Sequence, residues 1–135
     1  MTNVRLFVAK LVASFFYHLI SPRKVEHWSQ TYKVRFVKLE ETELVHQSGY
    51  DAVLTSKKAG LWDFMDDVDN LIIPVDLDLQ LRQNKPALSF FEKLSPSNKR
   101  FVLRYIKLAK TAETRRKRIL LVVSLSAQNK KIPGL

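Results

Sequence analysis

The sequence predicts an all-α protein: a compact single domain of about six short helices with an acidic loop. Three observations carry that expectation. Glycine and proline are scarce, three and five in 135 residues, whereas a β-sandwich needs a turn signal about every 10 residues. Helix formers such as Leu, Lys, Arg, Ala and Glu are plentiful. The apolar fraction is 46%, enough at this length to fill a core without staples. Cysteine is absent, which removes disulfides, thiolate nucleophiles and Cys-type zinc sites and fits a reducing compartment.

Residues 1–20 read as an amphipathic helix, with Leu6, Phe7, Leu11, Phe15 and Leu19 along one side. Lys10 interrupts its apolar run and no small-residue cleavage site follows, so neither an export signal nor a membrane span is expected. The chain reads as cytoplasmic. Ser21-Pro22 ends this segment, and residues 21–135 form the helical body. From Ser29 to Leu39 the apolar pattern is short but favours helix. The next helix, through Ala52, Val53 and Leu54, closes on Lys57-Lys58 and Gly60. "DDVDNLIIPVDL" reads as an extended acidic loop, because the residue before Pro74 is biased away from helix. A short helix then opens at Val75 or Asp76, and Asn84 caps another with Pro86 in its first turn.

Ser95-Pro96 announces the clearest helix, expected to run to Lys110. Lys99, Arg100, Arg104, Lys107 and Lys110 fall on one side of it, and Phe101, Val102, Tyr105 and Ile106 on the other. Thr111 caps a last helix whose Ile119, Leu120, Leu121, Val122, Val123 and Leu125 go nearly all round, which predicts a buried, central element.

Charge is segregated. The net charge is +10, and all of it lies beyond residue 92. Six aspartates and no Lys or Arg lie between Leu61 and Leu81. Like charges repel within each block, so a compact fold gains by bringing the two blocks together. The stretch "KLAKTAETRRKRI", residues 107–119, sharpens the point. Its Arg115 to Arg118 run sits at the start of a helix, the end whose dipole repels cations. Two readings stand. In one, Asp63, Asp66 and Asp67 with Glu113, Arg115 and Arg118 form a structural ionic network. In the other, Lys99, Arg100, Arg104, Lys107, Lys110, Arg115 and Arg118 bind an anionic partner, a protein or the phosphates of a nucleic acid read without sequence preference.

No catalytic constellation emerges. His18, His27 and His46 are scattered, without metal spacing or a nearby nucleophile motif. Asp63, Asp66, Asp67 and Asp69 lack the alternating spacing and closing glutamate of a calcium loop. Three glycines do not make a phosphate-cradling loop, and no cofactor is expected. Trp28 and Trp62 are expected in the core.

The segment "IPVDLDLQL…NKPALSFFEKLSPSNKRFVLRYIKLAKTAETRRKRI" resembles the C-terminal module of the YdeI/OmpD-associated family, also called bacteriocin-protection proteins. The resemblance rests on Pro74, Asp76, Leu77, Phe90, Phe91, Leu94, Ser95, Lys99, Arg100 and Ile106, and then on the specific run Ala109, Lys110, Glu113, Thr114, Arg115, Arg118 and Ile119. Upstream, Pro22, Arg23, Trp28 and Ser29, and then Gly60, Trp62 and Asp63, are similar to longer members. Those members carry a further upstream half, so the chain resembles an N-terminally shortened one. Unless the first helix replaces the missing packing partner, an apolar patch around Trp28 and Phe36 would favour self-association. The resemblance implies a non-enzymatic role in bacteriocin, antimicrobial-peptide or stress protection. A charge of +10 repels cationic peptides at a distance, so protection is expected to be indirect.

Overall fold

Seven helices and no strand make up residues 27–133, the part that the computed structural model describes. The expected helix over residues 1–20 lies outside the described residues, as do Pro22, Arg23 and His18. In chain order the helices are α1 (Gln30–Glu41), α2 (Gln47–Lys58), α3 (Asp66–Asp69), α4 (Val75–Gln83), α5 (Lys85–Lys93), α6 (Pro96–Lys107) and α7 (Ala112–Ala127).

The last three helices start where the caps say they should. Asn84 Oδ1 accepts from Ala87 N at 3.2 Å, Ser95 Oγ from Asn98 N at 3.3 Å, and Thr111 Oγ1 from Thr114 N at 3.1 Å. Each cap satisfies a backbone donor that a helix N-terminus leaves unpaired. Apolar residues then recur at helical spacing and turn inward: Leu77 and Leu81 on α4, Ala87 and Phe91 on α5, Val102, Leu103 and Ile106 on α6, Ile119, Val122 and Val123 on α7. Burying each large side chain contributes roughly 1.5–3 kcal/mol. Helix α7 packs against α4, α5 and α6, and Met65, Val68 and Ile132 complete the same core.

The first two helices are joined differently. Trp28 packs against Trp62 at a tilt of 41° with centroids 5.1 Å apart, and Phe36 meets Trp28, Trp62 and Tyr50 edge-on. Trp28 Nε1 donates to Ser56 Oγ at 2.8 Å, and the same hydroxyl donates to Ala52 O. Both tryptophans are half-buried in this cluster rather than in the main core.

Three details differ from the sequence expectation. The acidic loop contains a helical turn, α3, which four residues without apolar periodicity do not announce. Helix α6 ends at Lys107, where Ala109 N bonds Ile106 O at 3.2 Å in a tightened last turn, so Lys110 leaves the basic side of the helix. Helix α7 is central but one-sided: Leu120 and Leu121 are 47% and 42% exposed, because its neighbours cover only the face of Ile119, Val122, Val123 and Ser126.

Candidate functional site

The acidic segment lies against the basic helices, and the pairings are individual ones. Arg115 projects from the second turn of α7 to Asp76 at the start of α4. Its Nε donates to Oδ2 at 2.6 Å and its Nη2 to Oδ1 at 2.9 Å. Asp76 Oδ1 also accepts from Leu77 N at 3.0 Å. The carboxylate at a helix N-terminus and the fork of the guanidinium suit each other in charge and shape. Hydrogen bonding to Arg115 therefore holds the Asp76 carboxyl below its ordinary value of 3.8, against a smaller opposing effect of burial. The same bond raises Arg115.

The other basic candidates are spoken for in different ways. Lys107 Nζ pairs with Asp67 and lies 4.7 Å from the Phe64 ring centroid. Arg100 Nε donates to the backbone carbonyl of Asp69 at 3.2 Å, while Asp69 Oδ2 accepts from Gln30 N at 2.7 Å, the first turn of α1. Arg104 Nη2 meets His27 Nε2 at 3.1 Å. Lys99 Nζ donates to Glu92 O at 2.9 Å. Arg118 donates to Tyr105 O and lies over that ring, 4.5 Å from its centroid. Lys110 is exposed in the turn between α6 and α7.

The set Asp63, Asp66, Asp67, Glu113, Arg115 and Arg118 is thus distributed over several contacts. Asp63 and Asp66 face Lys33, a side chain only 10% exposed whose Nζ also lies 5.3 Å from the Trp62 ring centroid. Glu113 pairs with Lys117 along α7 at 2.7 Å. Lys33, Asp76, Lys107 and Lys117 are participants that the sequence reading did not place in this network. Asp76 did carry a signal, as an acid in the first turn of a helix within the "IPVDL" motif. Lys33 carried none.

The motif residues acquire physical roles from this geometry. Pro74 precedes α4 with an extended backbone. Thr114 receives the Thr111 cap, Arg115 and Arg118 tie α7 to α4 and α6, and Ile119 enters the core. Ala109 is half-buried in the turn before α7. Ser29 accepts the first α1 bonds through its carbonyl, and Trp28 and Trp62 pack against each other at a tilt. Among the described residues no group of three or more His, Asp or Glu side chains is arranged to hold a metal ion, and no helix is long and apolar enough to cross a membrane.

A family model described as "Bacteriocin-protection, YdeI or OmpD-Associated" (OmdA) matches residues 70–129. No curated protein and no solved structure matches the chain. The match begins beyond Trp28, Ser29 and Trp62, so the upstream likeness lies outside it. Over the segment that carries the Asp76–Arg115 pair and helices α4 to α7, the chain matches the OmdA family.

Proposed function

We propose that this is a non-enzymatic bacterial protein of the YdeI/OmpD-associated type that works in the cytoplasm. Its role is in bacteriocin, antimicrobial-peptide or stress protection, exerted through a protein partner. The observation that carries the reading is the engagement of its basic residues within the fold. Lys107 faces Asp67, Arg115 faces Asp76, and Arg118 is turned onto Tyr105. A phosphate-tracking surface needs such cations turned outward. With these three held within the fold, the sequence-independent nucleic-acid reading loses the centre of its surface and keeps Lys99, Arg100, Arg104, Lys110, Arg116 and Lys117 around it.

Two measurements test this. Survival of a bacterial host exposed to a cationic antimicrobial peptide is expected to rise when the chain is expressed; unchanged survival across bacteriocin, peptide and oxidative challenge counts against protection. Fluorescence anisotropy with mixed-sequence duplex DNA and single-stranded RNA is expected to show no micromolar binding at about 50 mM salt. Binding that strengthens as salt falls, and weakens in Arg104→Gln, would replace the proposal with the nucleic-acid reading.

A further inference from the structure

A cleft of about 330 Å³ lies between α4 and the N-terminal half of α7, lined by Asp76, Gln80, Ala112, Arg115, Arg116, Ile119 and Leu120. That volume is at the small end of the range that small-molecule sites occupy. We propose that this cleft binds a small monocarboxylate carrying an apolar tail. The inference is independent of the protective role.

The polar side of the cleft is prearranged for one negative charge. Asp76 and Arg115 neutralise each other, and both Asp76 oxygens already accept bonds. Arg115 pairs side-on through Nε and Nη2, so Nη1 donates to nothing among the described residues. Arg116 makes no ion pair or hydrogen bond among the described residues and supplies the surplus positive charge of the lining. A guanidinium fixed by a carboxylate loses little freedom when it binds a second one, and its planar donors match carboxylate geometry. A dianion such as a phosphate ester would exceed the single surplus charge and meet Asp76 alongside. Gln80 adds a neutral amide to the rim.

The other side of the cleft is apolar. Ile119 forms part of the core, and Ala112 and Leu120 are exposed within the cleft. A leucine beside two arginines gains nothing from water, and a ligand tail laid over Leu120 and Ala112 would remove that apolar area from solvent. A charged head and an apolar wall together select an amphipathic ligand over free acetate or a neutral alcohol.

The test uses the full chain with acetate, octanoate and 1-octanol as probes, read by calorimetry and by amide chemical shifts. Octanoate is expected to saturate and to shift amides of α4 and the first half of α7. Acetate and 1-octanol should each bind at least about tenfold more weakly. Arg116→Gln should weaken octanoate about tenfold, and Ala112→Phe, which fills the cleft from an exposed position, should abolish its binding with the circular dichroism unchanged. If Ala112→Phe does not fold, Leu120→Asp carries the same test by placing a carboxylate in the wall. Equal affinity for octanoate and 1-octanol, unchanged affinity in the folded cleft variant, or no saturation up to about 10 mM would overturn the proposal.

Discussion

The two ends of the described chain are held together by different physics. From α4 to α7 the helices share one apolar core whose largest members, Phe91, Leu77, Leu81 and Ile106, are sealed from water. In α1 and α2 the only buried apolar side chain is Val53; Lys33 and Ser56 are the other buried residues. Tyr32, Val34, Val37, Leu39 and Leu54 are exposed there, as is Leu44 in the loop between them. What joins this region to the rest is an aromatic cluster, the Lys33 contacts to Asp63 and Asp66, and the Asp69 contact to Gln30. Area and packing hold one end, whereas tilted and edge-on ring contacts and charge hold the other.

That contrast is open to direct attack. Phe91→Ala should cost about 3–5 kcal/mol, lowering the urea midpoint for every probe, since it leaves a cavity where α5 meets α7. Val53→Ala should cost only about 1–2 kcal/mol, and its effect should concentrate in tryptophan emission. Trp28 and Trp62 are the chain's two tryptophans, and both lie in the aromatic cluster. Their emission should therefore shift at lower urea than the far-ultraviolet circular dichroism of the whole molecule. Coincident transitions would show that the two regions unfold as one, and would break the comparison.

Within the tightly packed end, Asp76→Asn should cost about 1 kcal/mol, a figure kept small because both partners are partly exposed. The effect has a pH signature. The Asp76 carboxyl titrates below its ordinary value of 3.8 when folded, so the pair's contribution is complete above that value. It is lost as pH falls through the lower folded value, and the variant should lack that part of the acid destabilisation. A parallel decline of wild type and Asp76→Asn below pH 3.8 would show that the pair adds nothing. Smallest of all, Lys117→Gln removes only an exposed pair along one helix and should change stability by less than about 0.5 kcal/mol.

The sequence was most legible where the signals are local. Ser95-Pro96, Asn84 and Thr111 each mark a helix start within a few residues, and each caps as read. The docking of the acidic segment on the basic helices could be anticipated from charge segregation alone. The partners could not. Arg115 reaches Asp76 across 39 positions of chain, and nothing in the run Arg115 to Arg118 distinguishes Asp76 from Asp63 or Asp67. Leu120 and Leu121 read as core because hydropathy counts apolar residues without knowing how many neighbours a helix has. The cleft beside Arg116 was equally hidden, since it exists only once α4 is laid against α7.

One feature of the backbone reaches further than the site. Helices α1, α2, α3 and α7 all end with the next-but-one residue in the left-handed region: Glu43, Gly60, Leu71 and Asn129. Each end makes the same pair of reversed bonds, such as Leu71 N to Val68 O at 3.1 Å and Ile72 N to Asp67 O at 2.8 Å. This is the Schellman closure, which ordinarily recruits glycine. Here glycine serves once in four times, and a glutamate and a leucine bear the steric cost of roughly 1–2 kcal/mol each. The chain's poverty in glycine therefore does not mean a poverty of turns. It means that its turns are written in residues under tension, and that Glu43, exposed and outside the core, is a place where one substitution would make the same fold more durable.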